Sequence, residues 1–224
     1  MEILFNILNV IKYLIYALLI IVFVIFIFLN VSPVFGASPD KNTKEIIANS
    51  ENFFEGKFRN IKTTYTNLRT LERKSTLKEW FFPPEDKNPL GPLPTIKFKG
   101  QDLTEGKFVW FGHSTLLMKT EGLVVMTDPV FNRASPLPSF SSKSKSSFFN
   151  GKPFVFENPI LIEDLPKVDV VIISHDHYDH LDSKAIKDLS NLVDHFIVPL
   201  GVGAHLERWG VDKNKITELD WYES

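Results

Sequence analysis

Tyr13 to Leu29 reads YLIYALLIIVFVIFIFL, an unbroken apolar run with no polar position to mark a solvent-facing stripe. At 1.5 Å per residue a helix over this run extends about 26 Å, close to the roughly 30 Å hydrocarbon core of a bilayer. Ile3 to Val10 adds apolar residues interrupted by Asn6 and Asn9. The pattern predicts a single-pass transmembrane helix, with 1–31 as an N-terminal anchor. The competing reading is a cleaved signal peptide, with Val34-Phe35-Gly36 or Phe35-Gly36-Ala37 as a small-residue cleavage site. Against it, the run exceeds a usual signal core and only Lys12 supplies charge ahead of it. Lys12 on one side and Lys41 and Lys44 on the other nearly balance, so the positive-inside rule does not fix the orientation.

Beyond the anchor the patterning changes twice. Asn30 to Asn42, with Pro33, Gly36 and Pro39, suits a linker, and Lys44 to Phe54 is predicted as a short helix. Thr64 to Trp80 mixes charged and apolar residues, and Pro83, Pro84, Pro89, Pro92 and Pro94 then mark a boundary. These features define a linker and helical pre-domain segment over 32–94 and a folded domain over 95–224. In that domain Lys107–Phe111, Thr115–Lys119 and Leu123–Thr127 read as a meander of short strands. Asp169–Ile173, DVVII, suits a strand buried on both faces, ending at Ser174-His175. Asp182 or Ser183 can cap a helix through Ala185–Leu189. Phe196–Val198 reads as a strand, and Ala204–Trp209 as a helix stopped by Gly210. Strand and helix alternate, so the class is mixed α and β.

Composition narrows the chemistry. Of 224 residues 44% are hydrophobic and 23% charged, as in folded proteins, and 25 basic against 27 acidic residues give a net charge of -2. That balance provides no general attraction for nucleic acid. The chain has no cysteine, which excludes disulfides, thiolate metal ligands and thiol nucleophiles. Any metal must be held by imidazole and carboxylate, a set that suits zinc, manganese or ferrous iron.

Ser174 to Leu181 reads SHDHYDHL, three imidazoles and two carboxylates at the end of a buried strand. So many polar groups there are costly unless something satisfies them, and a divalent cation does so. His175 and His177 can point to one cation while Asp179 and His180 point to a neighbour, giving a two-metal site in which Asp179 and His180 are the catalytic pair. Asp176 is expected outside the ligand set, accepting a ring proton from a histidine or shaping bound water. A solvated polar loop or a lone structural zinc is the bland alternative. His195 and His205, in a predicted strand and helix, are expected to be structural. Lys143 and Lys145, in the Ser-rich stretch Ser139–Ser147, are expected in a solvated loop.

His-x-His-x-Asp-His after an apolar strand resembles the signature of the metallo-beta-lactamase fold superfamily, whose αββα sandwich holds two metals between its sheets. FVWFGHSTLLMKTEGLVVMTDPVFNRASP, DLPKVDVVIISHDHYDHLD and IVPLGVGAHLERWG resemble the branch containing N-acylphosphatidylethanolamine-hydrolysing phospholipase D and related bacterial hydrolases, over most of residues 107 to 222. SPVFGA and ENFFEGKFRN look like the segment ahead of the domain in membrane-anchored members. The resemblance implies two divalent ions, zinc foremost, with His175 and His177 on the first and Asp179 and His180 on the second. Asp128, in TDP, is similar to the family's supporting acid, its alternative being a turn residue before Pro129. His113 falls in the family's GHST turn, expected as a supporting or structural residue rather than a ligand.

The resemblance further implies a metal-bound hydroxide attacking a phosphodiester such as a phospholipid of the surrounding bilayer, with a lactone or beta-lactam as alternative substrates. The family's remaining ligands lie downstream of the segment resembling TELDWYES, and this sequence stops at Ser224. The expectation is therefore the N-terminal half of the sandwich only, binding metal weakly. It would be a truncated product, half of a two-chain assembly whose second chain supplies the missing ligands, or a non-catalytic membrane-anchored remnant.

Overall fold

The computed structural model describes residues 2–62, 89–136 and 153–224. Thr64–Trp80, Pro83, Pro84 and the Ser139–Ser147 stretch with Lys143 and Lys145 lie outside the described residues. The apolar run forms helix α1 (Glu2–Val31), within which Phe5–Val31 is long and apolar enough to cross a membrane. Most of its Phe, Ile, Leu and Val side chains are exposed among the described residues, with Phe28 packing edge-to-face on Phe35.

The next helix differs from expectation. Helix α2 spans Lys41–Asn49, starting where the Asp40 side chain accepts the Thr43 amide at 2.8 Å. Phe53 and Phe54 are not helical. They form β1 (Phe53–Phe54), paired antiparallel with β2 (Lys57–Phe58). The cause is the Glu55-Gly56 turn, in which both residues take positive φ, 51° and 77°, the pairing that suits a two-residue hairpin.

The domain is built on a six-stranded sheet in sequential order. β3 (Phe108–Gly112), β4 (Thr115–Thr120) and β5 (Leu123–Thr127) form the expected antiparallel meander. β6 (Val168–Ile172), β7 (Val193–Pro199) and β8 (Ile216–Leu219) then continue the sheet in parallel. Parallel neighbours need crossovers, and helices α3 (Ser183–Leu189) and α4 (Gly203–Arg208) provide those from β6 to β7 and from β7 to β8. Ile186, Leu189 and Leu206 are fully buried in one cluster with Leu117, Met126, Val168, Val171 and Phe196.

One face of the sheet is covered by that core, and on the other several large apolar side chains are exposed among the described residues. Along β3, Val109 and Phe111 pack on the core, while Phe108 and Trp110 are 71% and 65% exposed. On β6, Val171 is buried but Ile172 is 40% exposed, so the strand expected to be buried on both faces is buried on one.

Candidate metal centre

β5 and β6 lie side by side and parallel, so the residues that follow them, Asp128 and Ser174, meet at one sheet edge. Asp128 leaves the strand with φ 38°, an uncommon conformation for a residue with a side chain, held by neighbouring bonds. Its amide donates to the Ile172 carbonyl at 3.0 Å, and its carbonyl accepts the Thr115 hydroxyl at 2.7 Å. The carboxylate is thereby aimed at the loop. Oδ1 accepts the Ser174 amide at 2.7 Å, and Oδ2 accepts the Ser174 hydroxyl at 2.7 Å and stands 2.8 Å from His180 Nδ1.

The loop closes in a turn in which the His180 and Leu181 amides both donate to the His177 carbonyl. Asp182 ends it. Oδ1 caps α3 through the Lys184 and Ala185 amides, and Oδ2 accepts from the Phe131 amide, the Asn132 amide and Asn132 Nδ2. Asp182 therefore ties the segment after β5 to the end of the histidine loop, a role its reading as a helix cap did not contain.

Asp128 also decides how His180 is used. A carboxylate only accepts, so a neutral His180 with its proton on Nδ1 satisfies the 2.8 Å contact with Asp128 and turns its Nε2 lone pair toward His113 and Asp179. That Nε2 lies 3.2 Å from His113 Nε2 and 4.0 Å from Asp179 Oδ2, and His113 Nε2 lies 3.1 Å from Asp179 Oδ2. Donors about 2.0–2.1 Å from a tetrahedral zinc are roughly 3.3 Å apart, so the two separations made by His113 Nε2 match an edge of a ligand tetrahedron, while the 4.0 Å between His180 Nε2 and Asp179 Oδ2 is longer than one. His113 reaches this point because the tight turn between β3 and β4 holds it at φ 46°, with its carbonyl accepting Trp110 Nε1 at 2.9 Å. Its position, expected to be supporting, serves a ligand or a support equally.

His175 and His177 sit beside this group. The His175 ring centroid is 4.5 Å from that of His177 and 3.9 Å from that of His180, and His175 Nδ1 is 2.9 Å from the Ser174 hydroxyl. Burial first, then His180 and His177, hold the His175 imidazole below its ordinary pKa, favouring the neutral form a cation requires. Burial, followed by the Asp176 charge, raises Tyr178.

The other two histidines have structural partners. His195 Nε2 is 2.8 Å from Thr217 Oγ1, across the β7–β8 pair. His205 accepts the Ala37 amide on Nδ1 at 3.1 Å and stacks on Trp209, whose Nε1 donates to the Pro33 carbonyl at 2.6 Å. The segment after α1 is thus strapped onto α4. Between strap and loop lies a cavity of about 440 Å³, walled by Val34 and Phe35 on one side, His177 and Asp179 on another, and His205 and Trp209 beneath.

Residues 124–224 match the beta-lactamase superfamily domain model. An uncharacterized protein of Mycobacterium tuberculosis is 38% identical over 183 residues, covering 78% of this chain and 46% of that protein. N-acyl-phosphatidylethanolamine-hydrolyzing phospholipase D 1 of Caenorhabditis elegans is 35% identical over 168 residues, 71% of this chain and 44% of that one. Among solved structures, an isothiocyanate hydrolase from Delia radicum gut bacteria aligns with a TM-score of 0.35 at 25% identity, over 48% of this chain and 39% of that one. Residues 124–224 carry a beta-lactamase superfamily domain, and with the phospholipase relative this supports assigning the domain to the metallo-beta-lactamase fold superfamily. The chain spans less than half the length of these two curated relatives. Family and donor set together point to a divalent cation.

Proposed function

We propose that the chain carries one arm of a two-metal hydrolase centre held at a membrane by Phe5–Val31, with a phosphodiester such as a phospholipid as substrate. The observation that carries this reading is His180, whose Nδ1 is held by buried Asp128 and whose Nε2 converges with His113 and Asp179. His113, Asp179 and His180 would hold one cation and His175 with His177 the second. Bound divalent ions supply Lewis-acid activation of water and of the ester under attack. The protein's own part is orientation: Asp128 keeps the proton on His180 Nδ1, Ser174 ties Asp128 to the loop, and Asp182 fixes where the loop ends. The phospholipase relative and the apolar helix favour a lipid phosphodiester over a lactone or beta-lactam.

The test is zinc titration of the full chain in detergent micelles, with hydrolysis of bis(p-nitrophenyl) phosphate and of a lactone followed alongside. We expect zinc binding of which one ion is lost in His180→Ala, and slow, chelator-sensitive cleavage favouring the phosphodiester. Zinc binding indifferent to His180, or cleavage favouring the lactone, would overturn the respective part. A second reading, half of a two-chain assembly, is favoured by the exposed apolar face at Phe108, Trp110 and Ile172. In that case metal binds, and hydrolysis appears only when the partner is added.

A further inference from the structure

Val34 and Phe35 belong to the link between the apolar helix and the domain, yet they wall the same cavity as His177 and Asp179. Three contacts hold them there. The Trp209 indole donates to the Pro33 carbonyl, the Ala37 amide donates to His205, and Arg208 reaches the Val31 carbonyl at 3.5 Å. Gly36 takes φ 68° beside the His205 ring, and a Cβ there would fall 1.8 Å from Nδ1, so the strap closes onto α4 only with glycine at this position.

The strap is also short. From Val31, where the helix ends, to Phe35 even a fully extended chain covers no more than about 14 Å. The headgroup layer outside the hydrocarbon core is roughly 5–8 Å thick. With α1 embedded as far as Val31, as the proposed anchor has it, the cavity lies at or just beyond the headgroups, with its strap wall nearest the bilayer. Its volume is within the range of small-molecule sites.

We infer that Val34 and Phe35 are specificity-determining residues of the site: they receive one apolar chain of an amphiphile drawn from the bilayer while its polar linkage reaches Asp179 and His177. This rests on the hydrolase reading for the polar end, but the apolar subsite is testable without catalysis. A soluble diester without a chain would leave the strap wall unused.

The experiment reconstitutes the full chain in phosphatidylcholine vesicles doped with a phospholipid bearing a photoactivatable diazirine at the end of one acyl chain, then maps the adducts by mass spectrometry. A chain end that stays in the bilayer lies near the midplane, roughly 15 Å below the headgroups, and labels α1 only. The expected result is labelling of Trp209 and of Val34 or Phe35 in addition to α1. In a Val34→Asp, Phe35→Asp double variant Trp209 labelling should fall about tenfold, while a Val34→Leu, Phe35→Leu variant keeps it. Adducts confined to α1, or Trp209 labelling unchanged or raised by the aspartates, would overturn the inference. Zinc titration of the same preparations separates the two proposals. Loss of zinc binding with labelling intact rejects the metal reading alone, and the reverse rejects the apolar subsite alone.

Discussion

Asp128 and Asp182 differ from Asp179 in a way that sorts the acids of this site. The first two are 4% and 5% exposed, and their oxygens are taken up by donors from the segment after β5, the histidine loop and α3. The Asp179 side chain is 48% exposed and faces His113 and His180. Buried carboxylates are tolerated because each of their oxygens has at least one hydrogen-bond partner, and that same engagement makes them fixed frames. An open carboxylate keeps its lone pairs for a ligand. The difference teaches that the loop's shape and its chemistry are carried by separate residues of the same type.

The comparison breaks most visibly at Asp182. Asp182→Ala removes the α3 cap and strands the Phe131 and Asn132 amides, so it should destabilise the domain by about 3 kcal/mol, read from the urea midpoint. Next comes Asp128→Asn, which keeps the side-chain shape but weakens its hold on the His180 Nδ1 proton. Zinc affinity should drop about 10–100-fold, measured against a chromophoric chelator, the range for losing a carboxylate behind a metal-bound histidine.

A smaller effect concerns the strap. Burial lowers the His205 pKa, against the opposing charges of Asp176 and Glu218. Because the folded value lies below the ordinary one, His205 contributes stability that is present above about pH 6.5 and lost as pH falls below it. Protonation also turns Nδ1 into a donor facing the Ala37 N–H. Hydrogen exchange at the Ala37 amide should therefore accelerate on acidification, after correction for intrinsic rates. The smallest effect is expected at His195→Gln, which can keep a bond to Thr217 and should cost no more than about 1 kcal/mol in the same urea experiment.

Much of this arrangement was legible in the sequence where it depended on neighbours along the chain. The meander, the strand running into the histidines, the Asp182 cap and the Gly210 stop, at φ 99°, follow from periodicity and local turn chemistry. The Phe53–Phe58 hairpin was equally local, but the apolar spacing of Ile46, Ile47 and Phe53 reads as helix unless Glu55-Gly56 is recognised as a turn. What local patterning could not supply was convergence. His113 meets His180 across a separation of 67 residues, and Ala37 meets His205 across 168. The first is brought about by a strained turn and the second by a tryptophan bonding a carbonyl. The exposed outer faces of β3 and β6 were not legible along the chain, because alternation along a strand does not say which face will be covered and the apolar run of β6 reads as buried on both.

The central claim is that His113, Asp179 and His180 form one cation site. It is tested most directly by comparing zinc affinity in the wild-type chain, in the three single alanine variants and in the triple variant, all in the same micelles. One zinc should be lost with each single change, with the triple variant no worse than the weakest single. Undiminished zinc affinity in the triple variant would contradict it.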